Sequence, residues 1–148
     1  MLWLLRHTEA AEGDPDEDRP LTDRGTQDAE ATGRALARLG VNIDACLTSP
    51  KKRALQTAQL VCEPLGVAVS IEPALSGEPF DARELTAGLG DVLLVGHDPS
   101  FSLTVNQLTG AQARLRKGGL AGIDNGELVV LLRPEEMEAI ATADMPVT

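Results

Sequence analysis

The stretch Leu2-Trp3-Leu4-Leu5-Arg6-His7-Thr8-Glu9 constrains the fold more than any other part of the chain. Four apolar residues run directly into an arginine and a histidine. An apolar run this short reads as a strand buried on both faces of a parallel sheet. Its polar residues fall at the strand's C-terminal end, where open α/β sheets bind their ligands. Arg6 brings a planar fork of donors suited to phosphate. His7 brings a nitrogen that is partly unprotonated near neutral pH and can attack or transfer protons.

The rest of the chain alternates strand and helix. Thr22 as N-cap, with Asp23 in the first turn, predicts a helix to about Leu39, stopped by Gly40. Ala29, Leu36 and Leu39 form its apolar stripe, and Gly25 and Gly33 weaken it, which points to close packing against the sheet. Residues 43–48 read as a second strand, followed by Ser49-Pro50. Lys51-Lys52-Arg53 then opens a helix with the stripe Ala54, Ala58, Val61 and Leu65, ended by Gly66. Basic residues in a first turn oppose the helix dipole, and a bound anion would explain three in a row. Residues 67–71 predict a third strand and residues 81–87 a short helix.

Asp91 to Val95 is the fourth strand, and Gly96-His97-Asp98-Pro99 follows at once. Asp98 reads as N-cap and Pro99 as the first helical residue of a helix to about Leu108, with Phe101, Val105 and Leu108 inward. Arg114, Arg116 and Lys117 form a small basic patch. Asn125-Gly126, between residues 120–124 and 127–132, is a type I′ hairpin signal, and Pro134 opens a last helix. The pattern predicts an α/β fold over one domain, residues 1–148. It is a three-layer α/β/α sandwich with helices flanking a mostly parallel sheet, and a late β-hairpin. A dinucleotide-binding fold fails, because no strand leads into G-x-G-x-x-G and no phosphate loop of the G-x-x-x-x-G-K-[ST] kind is present.

A net charge of −10 argues against a nucleic acid partner, which wants a basic face. Residues 10–20, with Glu12, Asp14, Asp16, Glu17 and Asp18, read as a solvated acidic loop. Cys46 and Cys62 read as buried, reduced apolar fillers rather than a disulfide or zinc site. Arg6 arrives too early for a secretory leader, and no apolar run nears the roughly 20 residues that span a bilayer. The expectation is a cytoplasmic protein with no membrane partner.

The chain has two histidines, His7 and His97, and each directly follows an apolar strand. Strand ends on one edge of a parallel sheet converge, so His7, Arg53 and His97 can meet, and Arg6 joins them. Two guanidinium forks and two imidazoles around one point make a site for a phosphoryl dianion. No metal-ligand cluster is evident, so no metal or cofactor is expected, and the arginines and an imidazole would neutralise the phosphoryl charge.

These residues resemble a known family. Leu5-Arg6-His7-Thr8 is similar to the R-H-G signature of the histidine phosphatase superfamily, with Thr8 where glycine is commonest. Asp18-Arg19-Pro20-Leu21-Thr22 with Gly25 resembles the next motif. Thr48-Ser49-Pro50 with Arg53-Ala54 and Gln56-Thr57-Ala58 resembles the third, and Val95-Gly96-His97-Asp98-Pro99 the last. The short chain is most similar to the SixA-type phosphohistidine phosphatases of this phosphoglycerate-mutase-like superfamily. The resemblance implies that His7 attacks phosphorus and carries the group as a phosphohistidine, that Arg6, Arg53 and His97 hold its oxygens, and that water then releases phosphate. It implies that Ser49 helps position the pocket and that Asp18 and Arg19 order the loop at its mouth.

Relatives that cleave phosphate esters often carry an acid after the third strand. Glu78 lies there as a possible general acid, with Glu72 and Asp81 as rivals, but Leu75-Ser76-Gly77-Glu78 departs from the usual motif. A missing acid suits a phosphoramidate, whose nitrogen leaves more easily. The expected activity is metal-independent hydrolysis of protein phosphohistidine, with a phosphorylated protein as partner. Two alternatives stand beside it: a phosphatase of small phosphorylated metabolites such as a sugar phosphate or nucleotide, and a non-catalytic phosphate- or phosphoprotein-binding domain. A mutase would need an enclosed pocket, and the chain has few residues to build a lid.

Overall fold

The computed structural model describes residues 1–144. Six strands form one sheet: β1 (Leu2–Arg6), β2 (Ala45–Thr48), β3 (Val69–Ile71), β4 (Val92–Gly96), β5 (Leu120–Asp124) and β6 (Glu127–Leu132). Five helices accompany them: α1 (Asp23–Arg38), α2 (Lys52–Cys62), α3 (Ala82–Thr86), α4 (Ser100–Thr109) and α5 (Pro134–Thr142). The strand order is β3-β2-β4-β1-β5-β6. Pairing is parallel from β3 through β2 and β4 to β1, and antiparallel from β1 to β5 and from β5 to β6. Only β5 therefore runs against the rest, and the sheet is mostly parallel with a late hairpin.

Side-chain alternation along the central strands sets the layers. Trp3 and Leu5 of β1, with Leu93 and Val95 of β4, pack against Ala29 and Leu36 of α1, Ala58 and Val61 of α2 and Met137 of α5. Leu4, Val92 and Leu94 face the other way, onto Phe101 and Val105 of α4 and onto Leu75 and Leu115. Cys46 and Cys62 lie in the first of these clusters, buried and free. Asn125 and Gly126 both take positive φ, 49° and 75°, as a type I′ hairpin requires. Among the described residues, no helix is long and apolar enough to cross a membrane.

The Thr22 hydroxyl caps α1 by accepting from the Gly25 N–H at 3.0 Å. Leu39 falls outside the helix and is 52% exposed, so it leaves the apolar stripe. The two glycines of α1 do serve close packing, but not against the sheet. A Cβ on Gly25 would lie 2.0 Å from the Glu9 carbonyl oxygen, in the segment leaving β1. A Cβ on Gly33 would lie 2.8 Å from the Val61 carbonyl oxygen of α2. Strand β2 starts at Ala45 and β3 at Val69, each two residues later than the pattern predicts. Helix α2 ends at Cys62, short of Leu65, because Pro64 has no N–H with which to continue it. Helix α4 opens at Ser100, with Pro99 rather than Asp98 as its N-cap residue. Asp98 still satisfies the helix start, since its carboxylate accepts from the Ser102 N–H at 3.0 Å and the Ser102 hydroxyl at 2.8 Å.

The Gly25 contact joins α1 to the chain leaving β1, and backbone cannot yield to a methyl group there. Gly25→Ala should cost about 3 kcal/mol or more of unfolding free energy, read from the urea midpoint at unchanged slope. Gly40→Ala, with nothing within 4 Å but a φ of +68°, should cost about 1 kcal/mol, from backbone strain alone.

Candidate active site

Parallel register delivers the site. Arg6 pairs with Gly96, and Thr48 with Val95, so the residues leaving β1, β2 and β4 emerge side by side. The ladder runs one step further, as His7 N–H donates to the Gly96 carbonyl and Ser49 N–H to the Val95 carbonyl, both at 3.0 Å. The His7 and His97 rings come to rest with centroids 5.3 Å apart and planes inclined by 57°. Arg53 reaches the same point from the first turn of α2. Arg6, His7, Arg53 and His97 share a cleft of about 250 Å³, lined also by Arg19, Lys51, Gly77, Asp98 and Lys117.

His7 is buried, and its Nδ1 lies 2.7 Å from the Thr8 carbonyl oxygen. A carbonyl only accepts, so Nδ1 carries the proton and the neutral ring keeps its lone pair on Nε2. Burial lowers the His7 pKa to about 4; the hydrogen bond to Thr8 opposes the shift, and the charges of Arg53, Arg6 and Lys117 add to it. His97 falls to about 3, by burial first, then by His7, Arg53 and Lys51, against an upward pull from Asp16. Both imidazoles are therefore neutral near pH 7. His97 Nε2 lies 2.8 Å from the Ser49 hydroxyl oxygen; that oxygen accepts from the Lys51 N–H at 3.1 Å, so its own O–H donates to Nε2 and the neutral ring carries its proton on Nδ1. Ser49 thus holds His97 rather than facing the cleft itself.

Backbone and side-chain bonds hold the arginines. Gly118 N–H donates to the carbonyls of Arg6 and His7, and Arg6 N–H to the Gly119 carbonyl. Arg6 Nη1 donates to the Leu115 carbonyl at 3.0 Å, while its buried Nε has no acceptor among the described residues. Arg53 Nη1 donates to the Asp16 carbonyl at 2.9 Å and Nη2 to the Asp16 carboxylate at 3.2 Å. Thr8, standing where the family signature prefers glycine, is fully buried. Its hydroxyl donates to the Gly25 carbonyl at 2.8 Å, and its N–H donates to the Thr57 hydroxyl oxygen at 3.2 Å. Thr57 in turn donates to the Arg53 carbonyl at 2.7 Å, so one chain of bonds ties β1, α1 and α2 together.

The structure brings together Arg6, His7, Arg53 and His97, with Ser49 behind them. It does not bring Glu78 to them: that residue is exposed and lines a separate hollow with Ser76, Phe80 and Asp81. Glu72 and Asp81 also stay outside the cleft, accepting instead from the N–H groups of Ala74 and Glu84. Of the three basic residues opening α2, Lys51 and Arg53 line the cleft and Lys52 is exposed. The loop at the mouth is ordered by Asp16 and Arg19 rather than Asp18: Arg19 Nε donates to the Ala11 carbonyl at 2.8 Å, and its Nη1 lies 3.1 Å from the Asp16 carboxylate. Sequence reasoning missed Asp16, one carboxylate among several in an acidic loop, and left Lys117 in a surface patch. Among the described residues, no group of three or more His, Cys, Asp or Glu is disposed to hold a metal ion.

Comparison with known proteins gives a consistent picture. Residues 2–84 match the family model of the histidine phosphatase superfamily (branch 1). An uncharacterised protein of Picosynechococcus sp. is 32% identical, with 84% of this chain and 85% of that one covered. A candidate phosphohistidine phosphatase SixA from Agrobacterium tumefaciens superposes with a TM-score of 0.79 at 27% identity, over 90% of this chain and 97% of that one. A protein histidine phosphatase SixA complexed with tungstate has the same fold, with a TM-score of 0.80 at 24% identity, over 92% of this chain and 98% of that one.

The lowered histidine pKa values tie stability to pH. Above 6.5, the ordinary imidazole value, neither folded nor unfolded chain binds these protons. Below it the unfolded chain takes them up while the folded chain holds off to about 4 for His7 and about 3 for His97. Stability should therefore fall as pH drops from 6.5 toward 4, with a slope approaching ~1.4 kcal/mol per pH unit for each histidine. Urea titrations at a series of pH values measure it, and His97→Asn should remove the share of one histidine.

Proposed function

The chain belongs to the histidine phosphatase superfamily, and from that premise we propose that it hydrolyses phosphohistidine on a partner protein, through a phosphohistidine of its own on His7. The phosphoryl dianion enters a cleft whose cations neutralise the charge on its oxygens. His7 Nε2 attacks phosphorus, the new P–N bond forms, and the bond to the leaving nitrogen breaks. The ring becomes cationic, and the Nδ1–H bond to the Thr8 carbonyl strengthens as it does so. Arg6, Arg53 and the Nδ1–H of neutral His97 donate to the phosphoryl oxygens. Water then attacks phosphorus, the P–N bond breaks, and its electron pair returns to Nε2.

One observation carries the choice of leaving group: among the described residues, no carboxylic acid in or beside the cleft is free to protonate it. Asp98 is held by the Ser102 N–H and hydroxyl. Asp16 is kept ionised by hydrogen bonds from Arg19 and Arg53, which lower its pKa. An alkoxide leaves poorly without a proton, whereas the imidazole of a phosphohistidine protonated on its other nitrogen leaves neutral. Proteins with stretches similar to this chain include one named a serine/threonine-protein phosphatase and one named a 2,3-bisphosphoglycerate-dependent phosphoglycerate mutase, so small phosphate esters stand as the second reading. The acidic chain and its free buried cysteines fit a cytoplasmic setting.

A substrate panel at fixed pH tests this. The value of kcat/KM for a phosphohistidine peptide should exceed that for sugar phosphates and nucleoside monophosphates by about tenfold or more; the reverse order would overturn the assignment. Arg53→Ala should lower kcat/KM by about 10²–10³, the loss of one preorganised charge donor. His7→Ala should abolish turnover and leave phosphate binding measurable by calorimetry. The acid limb of kcat/KM, after allowance for the substrate's own ionisation, should fall near 4 rather than 6.5.

A further inference from the structure

Asp16 sits on a single helical turn, Asp16–Asp18, and presents its carboxylate to three cations of the cleft. Oδ2 lies 3.2 Å from Arg53 Nη2 and 3.7 Å from Lys51 Nζ, and Oδ1 lies 3.1 Å from Arg19 Nη1. The turn is fixed in place, because the Asp16 carbonyl accepts from Arg53 Nη1 at 2.9 Å and from the Arg19 N–H at 3.2 Å. Both terminal nitrogens of Arg53 are thus engaged by one residue. The cleft holds five cationic side chains, Arg6, Arg19, Lys51, Arg53 and Lys117, in a chain whose net charge is −10. Arg6 and Arg53 match one phosphoryl dianion, and of the three cations that remain, Arg19 and Lys51 lie against the Asp16 carboxylate.

We propose that Arg19, Lys51 and the outer edge of Arg53 form a second anion position beside the phosphoryl site, and that Asp16 occupies it, selecting against leaving groups that carry an anion next to the scissile bond. This rests on the reading of the cleft as a phosphoryl site. A leaving group with a nearby carboxylate or phosphate must displace Asp16 from the cradle or lie against its charge. A neutral leaving group, such as an imidazole on a protein surface, meets neither cost. Asp16 is therefore a specificity residue and takes no part in bond making. The Asp16 carboxylate stays ionised through the working pH range because Arg19 and Arg53 hold its pKa below the usual carboxylate value.

Binding of two stable phosphonates tests the proposal without turnover. Methylphosphonate carries only the phosphoryl-like group, and phosphonoacetate adds a carboxylate beside it. Calorimetry on wild type, Asp16→Asn and Asp16→Glu should show Asp16→Asn gaining about fivefold or more in affinity for phosphonoacetate relative to methylphosphonate, with Asp16→Glu close to wild type. Adding Arg19→Gln or Lys51→Gln to Asp16→Asn should remove that gain. Equal shifts for both ligands, or weaker binding of both, would mean that Asp16 only braces Arg53, and the proposal would fall. Folded wild-type protein that binds neither phosphonate would overturn the phosphoryl reading itself, and this inference with it.

Discussion

The parallel seating of β4 between β1 and β2 is the constraint on which everything in the cleft depends. It sets Arg6 opposite Gly96 and Thr48 opposite Val95, so the next residue out on each strand reaches the same edge. The shapes filling the two layers hold that register, with Trp3 and Leu5 of β1 packed one way and Leu4 the other. A slip of one residue would turn His7 and His97 over with the rest of their strands. The catalytic geometry is in this sense a by-product of filling two apolar layers at once.

The second organising effect is burial of two imidazoles among cations. Desolvation and neighbouring positive charge act in the same direction on His7 and His97, and both rings stay neutral well below the ordinary imidazole range. That is the state a nitrogen nucleophile requires. It also leaves the folded chain unable to take up protons that the unfolded chain accepts, so function and acid sensitivity have one origin. The Thr8 carbonyl decides which nitrogen remains free, and the Thr8 N–H, through the Thr57 hydroxyl, links the nucleophile's strand to the helix that carries Arg53. A threonine in the place of the family's usual glycine adds a further tie, from its hydroxyl to the Gly25 carbonyl of α1, without entering the cleft.

Much of this was legible in the sequence, because strands and helix starts write local patterns. His7 and His97 each terminate an apolar run, and Arg53 follows a Ser-Pro break at the start of an apolar-striped helix. The layer order and hairpin followed from the same periodicities. What stayed hidden was set by contacts between segments distant in the chain. Nothing near Asp16 distinguishes it from Asp14 or Glu17, since its partners Arg53 and Lys51 lie more than thirty residues away. Gly25 and Gly33 announced close packing, but their partners, the backbone of Glu9 and the end of α2, could not be read locally. Glu78 lay in the expected segment, and the turn around it carries its side chain to another hollow. The early stop of α2 was readable at Pro64, and the stripe through Leu65 outweighed it.

The central claim is that His7 itself carries the phosphoryl group between substrate and water. Rapid-quench mixing with a phosphohistidine peptide, followed by peptide mapping under alkaline conditions, tests it most directly. The account predicts an acid-labile, alkali-stable phosphoryl group on His7, appearing at least as fast as the enzyme turns over. Steady turnover with no label on His7, or with the label on His97 or any other residue, would contradict it.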